Sequence, residues 1–355
     1  MVLSDRHLFI RTDANTIIGI GHLMRCLALA QAWKEHYGAV TFIGAYDSVG
    51  LRAKIVDEGF RLQSIQNTYP DPSDLETTLH TINCFPFENS WVVLDGYNFD
   101  EQYQLGLKQH GNMLLLIDDT AHQNHYAADI ILNQNINAKE LIYDCEFKTK
   151  FLLSSKYVLL RDEFLFYEQP NRIIPNIAKK LLVTLGGGDL MNETSTVLSA
   201  LESINIENLL VRVIAGIGNR NIDALKSQAE RGKHEIEILQ DVSQMPQLMA
   251  WADIAISAAG STCWELAFSG LPAVLIMTSK NQRNNLEYLV KYGSVTSVGS
   301  EMSMSIDVIS QSIYNLITDK ELREDMSSRG PLLVDGAGRD RVIEEIKKYK
   351  CEGTQ

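Results

Sequence analysis

Residues 7–30 read HLFIRTDANTIIGIGHLMRCLALA, an apolar strand that runs through a glycine-bearing turn into an apolar helical stretch. Glycine tolerates backbone geometry that other residues resist, so Gly19 and Gly21 predict a tight turn that leaves the first helical N–H groups open to a ligand. Such an opening favours anions. Leu23, Leu27 and Ala30 recur at helical spacing, which makes strand, turn and helix the first half of a βαβ unit. His22 then falls at the helix start, facing whatever the turn binds. A lone histidine there is more often a cap or packing residue, and its chemistry rests on its neighbours. The dinucleotide fingerprint GxGxxG fails at Met24, and no segment matches the phosphate-binding pattern GxxxxGK[ST]. A nicotinamide cofactor is therefore disfavoured.

Outward from this stretch, the pattern repeats. Strand candidates are 7–12, 39–43, 60–65, 91–94, 113–117, 129–132 and 157–160, separated by amphipathic segments such as 99–110. Near-continuous apolar strands joined by helices imply a parallel sheet covered on both faces. The stretch 168–178, EQPNRIIPNIA, is aperiodic and carries two prolines. It reads as the connection, with the linker proper at 171–178. At 179–189, KKLLVTLGGGD begins a second strand, turn and helix (MNETSTVLSALES), followed by LLVRVIAG, IEILQ, DIAISAAG and PAVLIM. The sequence thus predicts an α/β chain of two doubly wound parallel-sheet domains, at 1–170 and 179–340, with a last helix at 341–355 that returns to the first domain. Ligands of such sheets bind beyond the carboxyl ends of the strands. Both glycine turns are expected to open into a cleft between the domains.

Composition narrows the partners. At 355 residues the chain exceeds what one core usually serves. A formal net charge of −13 argues against nucleic acid or an anionic membrane as the main partner. The longest uncharged apolar run, PAVLIM, is too short to span a bilayer. The start of the chain lacks the basic and apolar regions of a signal peptide, so a cytoplasmic, monomeric protein is expected. Five cysteines, at 26, 84, 145, 263 and 351, show no CxxC spacing, which fits reduced thiols. Cys26 and Cys263 sit in apolar helical stretches and read as buried small hydrophobes.

The richest segment for chemistry is ISAAGSTCWELAFSGLPAVLIMTSKNQ, 256–282. Gly260 permits a turn at a strand end, Ser261 and Thr262 are good helix N-caps, and the helix start offers N–H groups to a phosphate. Glu265, one turn on, is placed to accept from a ribose diol, although a capping-box or solvated role fits its spacing as well. A helix terminus holds charge by about 0.3–1 kcal/mol when exposed and up to about 2 when partly buried. One helix is therefore too weak for a diphosphate, and amides of Gly187, Gly188 and 260–262 would have to act together, with Arg11 or Arg25 as cationic help. A structural ion pair is as good an account of either arginine. In IDDTAHQNH (117–125), Asp118, Asp119, His122 and His125 follow a strand. No HExxH or facial-triad pattern accompanies them, so a loop-structuring role outranks a metal site. Asp95 and Tyr97 in LDGYNFD either line the cleft or form a turn.

Together RTDANTIIGIGHLMRCLALA, DGYNFD, IDDTAHQNHYAADIILNQN, YVLLRDEF, LLVTLGGGD, ISAAGSTCWELAFSGLP, Asn281–Gln282 and LLVDGAGRDRV resemble, in order, the PseG family of UDP-2,4-diacetamido-2,4,6-trideoxy-β-L-altropyranose hydrolases of pseudaminic acid biosynthesis. The resemblance implies a GT-B fold like that of MurG and a metal-independent, cofactor-free, inverting hydrolysis that releases UDP. It assigns His22 as the catalytic histidine, Asp13, Gly21, Arg25, Tyr97, Asn281, Gln282 and Asn285 to the sugar, and Gly187, Gly188, Gly260, Ser261, Thr262 and Glu265 to UDP. Ser154 and Ser155 replace a usual Gly-Pro, and Lys280 replaces a common acid. The alternatives are a glycosyltransferase with a UDP-sugar donor and a non-catalytic nucleotide-sugar-binding protein.

Overall fold

The computed structural model describes residues 6–349, apart from 16–17, 37, 86–89, 169–171, 187–188, 190–191, 217–218, 220, 241, 243 and 300–304. The chain forms two compact units. The first comprises 1–18, 22–161 and 336–355, and the second comprises 19–21 and 162–335.

In the first unit the strands are β1 (His7–Thr12), β2 (Ala39–Gly44), β3 (Arg61–Ser64), β4 (Trp91–Asp95), β5 (Met113–Ile117), β6 (Ile130–Asn133) and β7 (Lys150–Leu153). They form one parallel sheet in the order β3-β2-β1-β4-β5-β6-β7. Every residue of β1, β4, β5 and β6 is buried, which is why β5 reads as an unbroken apolar run and β4 and β6 stay apolar up to their last residues, Asp95 and Asn133. The edge strand β3 is largely exposed and correspondingly polar. Thr12 pairs with Asp95 across β1 and β4, so the loops leaving both strands start side by side where the strand order reverses. That is the usual ligand position of an open α/β sheet.

The helix Gly21–Glu35 follows β1, and eleven of its fifteen residues are buried, so the helix is packed nearly all round rather than along one stripe. Gly19, at φ 83°, makes the left-handed turn that leads into it.

The second unit repeats the plan with β8 (Lys180–Thr184), β9 (Leu210–Ala215), β10 (Glu235–Gln240), β11 (Ile254–Ala258), β12 (Ala273–Ile276) and β13 (Thr296–Ser297), ordered β10-β9-β8-β11-β12-β13, again all parallel. Two doubly wound parallel sheets are what the strand-helix alternation predicts. The two-residue β13 carries too little pattern for its sequence to announce it. Residues 172–178 run along this unit. Arg172 donates to the carbonyls of Met249 and Ala252 at 2.9 and 2.5 Å, and the fully buried Arg323 donates to Leu316, Ile317, Pro175 and Asn176 at 2.5–3.1 Å.

One strand expectation fails. YVLL at 157–160 is not a strand; the seventh strand is KFLL at 150–153. Ser154, at φ 130°, turns the chain into a short 3₁₀ turn, Ser155–Tyr157, and the Leu159 N–H goes to the Gln134 side chain at 3.2 Å instead of a sheet neighbour. Val158, Leu159 and Leu160 are nonetheless buried. A short apolar run reports burial and cannot by itself report pairing.

Part of that burial comes from the last helix, Gly338–Lys348, which packs on the first unit. Arg339 pairs with Glu35 at 2.5 Å, Lys150 pairs with Glu345, and the Tyr349 ring stands edge-on to Trp91 at 5.5 Å. Gly338 is required by close approach, since a methyl group there would lie 2.2 Å from the Val158 carbonyl oxygen and 2.6 Å from its nitrogen. Gly338→Ala should therefore destabilise the protein by about 1–3 kcal/mol, the usual cost of overpacking. In urea unfolding this appears as a lower midpoint with unchanged slope.

Candidate active site

Asp95, the last residue of β4, is fully buried, and its carboxylate is the hub of the first unit's reversal point. His22 Nδ1 meets Oδ1 at 2.6 Å, and Arg25 donates through Nε to Oδ2 and through Nη2 to Oδ1, both at 2.6 Å. Cys26 adds a thiol hydrogen bond at 3.4 Å. Burial works against the charged carboxyl, but the Arg25 guanidinium and His22 outweigh it and hold the Asp95 pKa well below the usual carboxylate range. The three donors lie on one helix, Arg25 and Cys26 one turn after His22, so i, i+3 and i, i+4 spacing aims them at one point.

A carboxylate on Nδ1 favours the imidazole tautomer with its proton there, which leaves a lone pair on Nε2. Among the described residues, Nε2 has no hydrogen-bond partner. The Tyr97 ring stands edge-on to the imidazole, 5.2 Å between centroids. Arg25 continues the network through Nη1 to Asp119 at 2.8 and 2.9 Å, and the Tyr97 hydroxyl reaches the same carboxylate at 3.3 Å. A concavity beside this hub is lined by Asp13, Ile18, Asp95, Gly96, Tyr97, Asn98 and Phe99.

Asp13 lines that concavity, yet its carboxylate is already engaged by Arg11 at 2.6 and 3.1 Å and by the Ala45 N–H at 2.8 Å. Arg11 is itself fully buried and spends its remaining donors on Asp74. Both arginines therefore act as buried ion pairs, the structural one of the two roles their sequence allows.

In the second unit, Thr184 of β8 pairs with Ser257 of β11, so the segments leaving these two strands start side by side. Gly187 and Gly188 lie outside the described residues. Gly186 adopts φ 97°, and Asp189 accepts from the N–H groups of Glu193 and Thr194 at 2.7 and 3.1 Å. The start of the helix Glu193–Glu202 is thus capped by the chain's own carboxylate.

Ser261 precedes the helix Thr262–Phe268 with helical backbone angles and no side-chain capping bond, contrary to the N-cap its type suggests. Glu265 is half-buried one turn in. A methyl group on Gly260 would lie 3.6 Å from Gln282 Nε2, so these two positions are neighbours. Gln282 accepts from the Thr278 N–H at 2.9 Å through its other amide atom, and Asn281 accepts from the Ser279 hydroxyl. Asn285 is buried, with Nδ2 3.7 Å from Cys263 Sγ and Oδ1 without a hydrogen-bond partner.

The first unit brings together His22, Arg25 and Tyr97, and adds Asp119 and His122, which sequence reasoning placed in a loop-structuring role. Among the described residues no group of three or more His, Cys, Asp or Glu is arranged to hold a metal ion. Nor is any helix there long and apolar enough to cross a membrane.

Residues 181–335 match the glycosyltransferase family 28 C-terminal domain. The chain is 25% identical over 293 residues to an uncharacterized protein of Methanocaldococcus jannaschii, a match covering 80% of this chain and 58% of that one. It is also 25% identical over 290 residues to the UDP-2,4-diacetamido-2,4,6-trideoxy-beta-L-altropyranose hydrolase of Campylobacter jejuni, covering 80% and 96%. The fold is that of MurG and other GT-B glycosyltransferases: the MurG structure from Acinetobacter baumannii superposes with a TM-score of 0.65 at 15% identity, covering 97% of this chain and 100% of that one.

Replacing Asp95 by Asn removes one of the two carboxylates paired with the buried Arg25, leaving Asp119, and should cost about 3 kcal/mol at neutral pH, the low end of the range for breaking a buried pair. Because the folded carboxyl pKa is depressed, its stabilisation is complete above the unfolded value of about 4 and is lost as pH falls toward the folded one. The gap between wild type and Asp95→Asn in urea unfolding should therefore narrow as pH drops from neutral into the acid range.

Proposed function

We propose that the chain hydrolyses a UDP-sugar at its anomeric carbon, with UDP-2,4-diacetamido-2,4,6-trideoxy-β-L-altropyranose as substrate. The observation that carries the reading is the His22–Asp95 pair: a buried carboxylate favours the tautomer with its proton on Nδ1 and leaves Nε2 basic and unpartnered among the described residues. In this reading Nε2 takes a proton from water as its oxygen bonds the anomeric carbon, and the C–O bond to UDP breaks with its electron pair on the diphosphate. Attack from the side opposite UDP inverts the anomeric centre.

Tyr97, Asn281 and Gln282 contact the sugar. The turns at 186–188 and 260–262 hold the diphosphate through their amides, and Glu265 holds the ribose. Asp13, Arg25 and Asn285 support these groups from behind. The reading asks residues of both units to serve one ligand. Support comes from the Campylobacter jejuni relative, whose printed activity is this hydrolysis.

A glycosyltransferase is the second reading, favoured by the family 28 domain and the MurG likeness. It needs an acceptor in place of water. The deciding experiment follows the anomeric NMR signal of the UDP-sugar as UDP appears, with no acceptor added. Hydrolysis predicts UDP release and a free sugar born with the opposite anomeric configuration; transfer predicts neither. A positioned general base contributes about 10²- to 10⁴-fold, so His22→Asn should slow UDP release by that factor while leaving UDP affinity near wild type. Release at the wild-type rate would remove His22 from the role.

A further inference from the structure

The loop after β5 reaches the His22 centre from a side the reaction scheme leaves unused. Asp118, buried at its base, accepts the N–H groups of Thr120 and Ala121 at 2.7 and 2.6 Å and the Tyr126 hydroxyl at 2.9 Å. These bonds hold a turn in which Ala121 adopts φ 52°, uncommon for a residue with a side chain. The turn projects His122 onto the loop after β4. There Nε2 lies 2.8 Å from the Tyr97 carbonyl oxygen, Nδ1 lies 3.2 Å from Asp118, and the ring stands edge-on to Tyr97 at 5.9 Å.

Tyr97 is therefore gripped at its main chain by His122 and at its hydroxyl by Asp119, while its ring faces His22. We propose that His122 is a positioning residue: its Nε2–H pins the main chain at Tyr97 and so keeps the tyrosine ring against His22.

The grip does not depend on charge. In the imidazolium, Nδ1–H faces Asp118, and that hydrogen bond raises the His122 pKa above the ordinary histidine value. In the neutral ring, the Thr120 hydroxyl, 3.2 Å from Nδ1, supplies a hydrogen instead, and Nε2 keeps its own. The Gln123 side-chain amide also reaches Nε2, at 2.8 Å, and because Nε2 carries hydrogen in both states the amide end faces it with its oxygen.

The inference rests on the hydrolase reading for its kinetic arm alone. Three proteins separate it from a loss of folding: wild type, His122→Gln, which keeps an N–H donor at about the reach of Nε2, and His122→Phe, which keeps an aromatic ring and loses the donor. The ring signals of Tyr97 and His22 are followed by NMR in the free proteins, and UDP release is followed at saturating and limiting substrate. In His122→Phe the Tyr97 ring signals should shift, and the His22 ring signals should shift with them, because the two rings are in edge-on contact. UDP release should fall roughly 10- to 100-fold, mostly in kcat, the scale of a misplaced catalytic group. His122→Gln should restore all three.

A His122→Phe protein with wild-type Tyr97 and His22 ring signals overturns the proposal, and so do equal effects from Gln and Phe. Absence of UDP release in wild type would instead overturn the hydrolase reading, and the spectra would still decide the role of His122.

Discussion

A single buried carboxylate organises the first unit. Asp95 sits where β1 and β4 part, is sealed from solvent, and accepts from an imidazole, a guanidinium and a thiol on one helix. An ionised carboxyl in such a place is tolerable only when paired and hydrogen-bonded. That requirement constrains the helix Gly21–Glu35 in rotation and in depth, because the three donors must converge at once. The turn at Gly19 sets the entry angle, and the nearly complete burial of the helix removes freedom to slide. The orientation of the histidine thus follows from the electrostatics of its neighbours.

The two units share a strand order and put different chemistry at the same topological point. In the first, charge is concentrated: Asp95, Arg25, Asp119, Asp13, Arg11 and Asp74 form two buried clusters. In the second, the corresponding turns carry glycine, serine and threonine, and the Asp189 carboxylate is spent on its own helix. A charged hub suits proton transfer and orientation, whereas neutral turns at helix starts suit an anionic ligand. This division of labour is the physical content of the proposed reading.

Much of the architecture was legible because parallel strands buried on both faces leave unbroken apolar runs, as in β4 and β5, and because glycine turns mark the strand-to-helix junctions. YVLL misled for the same reason: its apolarity reflects cover by the helix Gly338–Lys348, a neighbour some 180 residues away in sequence. The site was only partly legible. His22 and Tyr97 stood out by position, yet the ambiguity of Asp95 between turn and cleft could not be resolved without knowing that Thr12 pairs with it across the sheet. Asp119 and His122 looked like loop residues because the spacing within 117–125 shows how they relate to one another and is silent about the neighbouring strand's loop. Their contacts with Arg25 and Tyr97 span 94 and 25 residues. An i, i+3 relation such as 22 to 25 can be read along a chain; a meeting of two loops cannot.

The first unit is assembled from pieces separated by the whole of the second. Residues 162–335 are nearly all of the second unit in one continuous run, whereas the first needs 336–348 laid over Val158 before its cover is complete. On a ribosome delivering the chain from its amino end, the later-made unit can close its core first, while the earlier-made one waits with apolar surface bare until the final helix emerges. The order of synthesis and the order of completion are therefore reversed.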